Sequence, residues 1–189
     1  MNTPAHLLLG AAVMARRGPR LLIWLAFLGA FAPDASLYVM AGVALFVLRI
    51  APEVVFNELY FSDAWQTVFA IDNSVFVWFA LLLLAWWRGA AWGIAFTGAA
   101  LLHLLFDFPL HHDDGRPHFW PVSSWVFESP ISYWDVQRGA VWIAPLEVLL
   151  SLVSAISLWR LNPGWLLTTV IGALVVLQLM VARVWLFIF

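Results

Sequence analysis

The chain has 189 residues, of which 64% are hydrophobic and 11% charged, with a formal net charge of −2. A soluble domain carries roughly 25% charged residues, so a water-facing surface is excluded and lipid must solvate much of this one. There is no cysteine, which removes disulfides, thiolate metal sites and cysteine nucleophiles. All nine cations are arginines, so lysine Schiff-base chemistry and P-loops are also absent. The near-neutral charge and the lack of a basic stripe argue against nucleic acid.

The predicted elements run as follows. Pro4 to Ala15 is a short apolar helix, with Thr3 as its N-cap and Pro4 at the first helical position. Arg16, Arg17 and Arg20 follow this apolar run rather than precede it, so it does not read as a cleaved signal. Leu21 to Ala32 is a second short segment, which Pro33-Asp34 is expected to stop. Ala35 to Ile50 is apolar again and reads as tilted or only partly inserted. Ala51 to Gln66 carries Glu53, Glu58 and Asp63 among aromatics and reads as an interfacial helix or loop. Val68 to Trp87 and Ala90 to Phe108 are clear spans, Pro109 to Arg138 is a long polar loop, and Gly139 to Trp159 and Trp165 to Phe189 are the last two spans.

The expected architecture is a single all-α domain, residues 1 to 189. It is a polytopic membrane bundle of five to seven hydrophobic helices, some short, with a polar loop at 109–138. The turns at 16–20, 88–89 and 160–164 hold arginines and no acid, which places them in the cytoplasm and loop 109–138 outside. Of the thirteen tryptophans, Trp86, Trp87, Trp120, Trp125, Trp134 and Trp165 lie near predicted ends and read as interfacial anchors; pigment contact is the sharper alternative.

The densest polar stretch is His103 to His118, HLLFDFPLHHDDGRPH. His103 and Asp107 are four apart on one helix face. Imidazole nitrogen and carboxylate oxygen are ordinary ligands of Zn²⁺, Mn²⁺ or Fe²⁺. Ionisable groups at membrane depth cost about 2 kcal/mol or more unless partnered, and default to function. The plainer readings are a structural His103–Asp107 hydrogen bond and solvated loop residues at His111 to Asp114. The topology carries His6, Asp34 and the Asp72-Asn73-Ser74 segment to the same side as His103; for the last, an N-cap is the plain reading. Glu147, inside its helix, is expected to pair with Arg183.

Four stretches then point one way. Thr3-Pro-Ala-His6, Phe31-Ala-Pro33-Asp34, Ile71-Asp72-Asn73-Ser74, and Leu102-His103-Leu-Leu-Phe-Asp107 with downstream Phe119-Trp120-Pro121 stand in this order. In them the chain resembles the membrane-bound metal-dependent hydrolases of the YdjM/YbcI type, small bacterial inner-membrane proteins. It is similar to a divergent branch with an HHDD-x3-H loop. Where that family has a second aspartate in P-D-x-D this chain has Ser36, and the histidine of its T-H-S is Asn73.

The resemblance implies a His/Asp centre at the outer membrane face holding a divalent metal, Zn or Mn. Candidate ligands are His6, Asp34, His103, Asp107, His111, His112 and His118, and candidate catalytic groups are Asp107, His111 and Asp113. A lipid or phosphoester substrate is expected from a site at headgroup level. The alternative is a non-catalytic subunit of a larger membrane complex, favoured by the missing family ligands and short helices. A transporter relaying protons through Glu147, Asp107 and His103 comes third, because the chain lacks paired broken helices.

Overall fold

The computed structural model describes residues 1–15 and 18–187, with side chains through residue 184. Arg16 and Arg17, two of the five residues of the expected basic turn, and the last two residues lie outside that set. Among the described residues every regular element is helical. Four stretches are long and apolar enough to cross a bilayer: Arg20–Val47, Asp63–Trp87, Ala140–Trp159 and Trp165–Val184. Thr3–Met14 and Ala91–Asp107 are shorter apolar helices. This is an all-helical membrane protein.

Helix α1 spans Thr3–Met14. Its N-cap is Asn2 rather than Thr3, because the Thr3 hydroxyl is engaged elsewhere, donating to Asp34 Oδ2 at 3.1 Å. Helix α2, Arg20–Gly42, runs through Pro33 and continues as a π-helical turn, Val43–Val47. The expected stop at Pro33-Asp34 therefore does not occur, and 35–47 is the C-terminal part of this helix and its π-helical turn rather than a separate tilted segment. Proline in a helix removes one hydrogen bond and crowds the carbonyl four residues back. Membrane helices tolerate this when neighbours supply donors. Here His103 Nδ1 donates to the Ala30 carbonyl at 2.7 Å, and Asn73 Nδ2 donates to the Pro33 carbonyl at 3.3 Å.

Beyond α2 the chain turns back through α3, Pro52–Val54, a second π-helical turn, Val55–Leu59, and α4, Asp63–Asp72. Buried Ala41, Ala44 and Val55 zip this hairpin together, with Leu45, Leu59 and Trp65 packed on them. Glu53, Glu58 and Asp63 stay exposed, as an interfacial segment requires. The expected span 68–87 lies within the apolar stretch Asp63–Trp87, where the helix is interrupted at Asn73-Ser74. There the Ser74 hydroxyl caps α5, Val75–Trp87, accepting from the Val77 amide at 3.2 Å.

Helices α6, Ala91–Asp107, α7, Ala140–Trp159, and α8, Trp165–Phe187, complete the bundle. The loop between α6 and α7 ends in one 3-10 turn, Val136–Arg138. Alternating up and down, α1, α2, α5, α6, α7 and α8 bring the end of α1, the start of α2 and the turns at 88–90 and 160–164 to one end. Arg20 donates from Nη2 to the Asn162 carbonyl there, at 3.0 Å. Exposed Trp86, Trp87, Trp92 and Trp165 ring that end, where interfacial aromatics belong.

The core is small-residue packing. Leu8, Ala11, Ile23, Ala26, Ala30, Ala99, Ala155 and Ile171 are buried together from five helices. Gly29 marks the closest approach: a Cβ there would sit 1.9 Å from the Phe96 carbonyl oxygen on α6. This lets α2 and α6 lie backbone to backbone and sets the Ala30 carbonyl against His103.

Candidate metal centre

The site forms where the start of α1, the middle of α2, the break before α5 and the end of α6 meet. His6 lies one turn into α1, Asp34 just after Pro33 on α2, and His103 and Asp107 on the last turns of α6. His6, His103 and Asp107 are each buried, with relative exposures of 2%, 1% and 6%. One nitrogen or carboxylate oxygen from each lies within 4.8 Å of those of the other two.

Asp107 is the hub. His6 Nε2 donates to its Oδ1 at 2.7 Å, and the Met1 amino nitrogen lies 2.5 Å from the same oxygen. Its Oδ2 faces His103 Nε2 at 3.0 Å and His111 Nε2 at 3.3 Å. The rings of His6 and His103 stack, with centroids 3.7 Å apart and planes at 12°. Asp34 stands at the edge, its Oδ1 3.7 Å from His103 Nε2, held there by Thr3.

The chemistry of His103 is set by its second contact. Because Nδ1 donates to the Ala30 carbonyl, the neutral ring carries a bare lone pair on Nε2. That atom is fully buried and makes no aligned hydrogen bond despite the nearby carboxylate. A backbone carbonyl fixing the outer nitrogen of a ligating histidine is the usual support of a metal ligand. Ligands at 2.0–2.2 Å from a tetrahedral ion are about 3.4 Å apart, close to the 3.0 to 3.7 Å separations between His103 Nε2 and the two carboxylates. Nitrogen and carboxylate donors suit Zn²⁺ or Mn²⁺. His6, His103 and Asp107 could therefore hold a divalent cation, once His6 Nε2 and the Met1 amine give up Asp107 Oδ1.

Above the hub lies the loop. His111 bridges two carboxylates, with Nε2 toward Asp107 and Nδ1 3.0 Å from Asp114 Oδ1. Burial alone would lower its pKa, but Asp107 and Asp114 outweigh that and hold it up to about 9. Burial pushes the Asp114 carboxyl up, but its hydrogen bond and charge contact with His111 win and bring it below the ordinary value. Tyr133, packed on the His111 ring at 5.0 Å, has its phenol raised well above 10 by burial and then by the nearby carboxylates.

Two expected residues do not join. Asp113 is exposed, and Asp114, one residue on, is the loop acid that reaches the cluster. His112 turns its Nδ1 to the Ser129 carbonyl at 2.7 Å and holds the loop together. A loop residue's direction depends on local turn geometry, which composition does not encode. His118 is buried and lines the same cavity, its Nδ1 donating to the Asn73 carbonyl at 3.0 Å; burial lowers its pKa. Asn73, where the resemblance has histidine, ties down backbone through its side-chain amide, donating to Pro33 and Phe69.

The cavity over the hub measures about 310 Å³ and also presents Tyr60, Arg116 and Tyr133. These three, with Asp114, are the site residues that sequence reasoning passed over. Aromatic and charged residues in an irregular loop give no periodic signal. Arg116 lies over the Tyr60 and Phe69 rings at 4.8 and 4.2 Å, which orders its guanidinium.

Glu147 does not pair with Arg183, which is exposed. Its Oε2 instead accepts from Asn2 Nδ2 at 2.6 Å, the Asn2 amide at 3.3 Å and Gln178 Nε2 at 3.1 Å. The arginine side is turned outward, and α7 meets α8 through Gln178.

Fold and site together define a polytopic helical membrane protein with a buried His/Asp centre under a polar loop. Comparison with protein-family models, with curated proteins and with solved structures found no match to the chain.

Proposed function

We propose that this chain is a metal-dependent hydrolase of the bacterial inner membrane, akin to the YdjM/YbcI-type proteins it resembles. Its His/Asp centre faces the outer side, beneath the extracytoplasmic loop 109–138. The observation that carries this reading is the buried Nε2 of His103, which makes no aligned hydrogen bond although Nδ1 is fixed by Ala30 and Asp34 and Asp107 face it beside the stacked ring of His6.

His6, His103 and Asp107 would hold a divalent cation, Zn or Mn, with Asp34 and His111 within reach. Such an ion supplies Lewis acidity toward an ester or phosphoester when bound. Hydrolysis adds water across that bond: its oxygen goes to carbon or phosphorus, and one proton goes to the leaving alkoxide. His111, held protonated between Asp107 and Asp114, would give its proton to the leaving oxygen and be recharged by the proton that the attacking water releases. Arg116 faces the anionic oxygens of the substrate.

Metal analysis of the purified protein tests this. The wild type is expected to hold about one equivalent of Zn or Mn, lost in His103→Ala and in Asp107→Ala. Wild-type protein with only trace metal, even after incubation with either ion, rejects it. The second reading, a non-catalytic subunit of a membrane complex, is favoured by Ser36 and by Asn73, whose amide serves backbone carbonyls where the family has a ligand. It requires metal-free protein that co-purifies with other membrane proteins in fixed ratio.

A further inference from the structure

The depth of the cavity constrains what reaches it. Helices α5 and α6, of 13 and 17 residues, rise about 20 and 25 Å from the arginine-bearing end. Asp34 lies 14 residues beyond Arg20 on α2, also about 21 Å up. The hydrocarbon core of a bilayer is about 30 Å thick. The metal centre thus sits below the far edge of the hydrocarbon, not above the membrane.

The loop roofs it. His111, Asp114 and Tyr133 lie over the hub, each at most partly exposed. One lining residue is exposed, Tyr38 on α2, at 52%. Leu37 beside it and Val181 on α8 line the same mouth. Helix α1 packs on both α2 and α8, whereas α2 and α8 are not among the closely packed helix pairs and share core only near Ile23, Leu167 and Ile171, at the arginine-bearing end. The mouth therefore falls in the gap between two candidate membrane spans. On the same two helices Val39, Leu177 and Met180 are exposed and apolar. At the threshold the Tyr38 hydroxyl meets the Thr3 hydroxyl at 2.9 Å, where apolar wall gives way to polar floor.

We propose that the cavity is entered sideways from the bilayer, between α2 and α8, by a glycerophospholipid. Its phosphate would reach Arg116 and the metal centre while its acyl chains stay in the lipid. At about 310 Å³ the cavity is at the small end of ligand sites; it has room for a headgroup but not for two chains. This inference rests on the hydrolase reading for the chemistry at the phosphate, and the route of entry stands on the geometry of the mouth.

The test is photo-crosslinking with a phosphatidic acid bearing a diazirine on its acyl chain, in phosphatidylcholine vesicles containing the full chain. Labelling is expected to concentrate on Leu37, Tyr38 and Val181 and to fall severalfold in Val181→Trp and in Leu37→Trp. Arg116→Ala is expected to weaken labelling by phosphatidic acid but not by a diacylglycerol with the same diazirine. Labels spread evenly over the lipid-facing helices, unchanged by both tryptophan variants, overturn the proposal. Equal loss with both lipids in Arg116→Ala overturns its phosphate part. Metal content is measured on the same samples. Focused labelling without metal supports the entry route and removes the hydrolase reading; even labelling with metal bound does the reverse.

Discussion

At the scale of residues, one position separates the two loop acids. Asp113 faces solvent, while Asp114 contacts His111 at 3.0 Å. A positioned acid–base group contributes about 10² to 10⁴-fold to a rate. Asp114→Asn is therefore expected to lower hydrolysis by about 10²-fold with metal content unchanged, and Asp113→Asn to leave both as in wild type. Steady-state assay with a phosphoester substrate, alongside metal analysis, checks this, and equal rates for the two variants contradict it. His103 and Asp107 are legible in the sequence because an ionisable pair in an apolar helix is costly without a role. The choice between Asp113 and Asp114 is not, since neighbouring loop residues differ only in the turn that carries them.

Among the elements, the contact of α2 with α6 decides the site. Pro33 is a strong local stop signal, yet the helix continues through it, with His103 and Asn73 donating to the Ala30 and Pro33 carbonyls beside the proline. Gly29 permits the approach. Gly29→Ala places a methyl against the Phe96 backbone and is expected to destabilise the protein by about 1 to 3 kcal/mol and to weaken metal binding through Ala30. Gly42→Ala, also on α2, has open space around it and is expected to gain about 0.5 to 1 kcal/mol from helix propensity alone. Thermal unfolding in detergent compares the two; similar shifts would contradict the close-packing argument.

For the whole molecule, the arginine-bearing turns share one end and the loop 109–138 lies at the other. The excess of arginine predicts that the first end faces the cytoplasm. With no native cysteine, single introduced cysteines report sidedness cleanly. In intact cells a membrane-impermeant maleimide is expected to label Asp113→Cys and to spare Leu161→Cys until the membrane is permeabilised. The opposite pattern would put the His/Asp centre toward the cytoplasm.

The chain's solvent, its helical class, most of its spans and the candidacy of His6, Asp34, His103 and Asp107 follow from the sequence itself. Apolar length, arginine placement and buried charge are properties that each segment carries alone. The continuity of α2, the break at Asn73-Ser74, the exclusion of His112 and Asp113, and the Glu147–Asn2–Gln178 contact belong to the tertiary structure. Each depends on a hydrogen-bond partner remote along the chain or on a local turn, and no local pattern records which partner a carbonyl or carboxylate will meet.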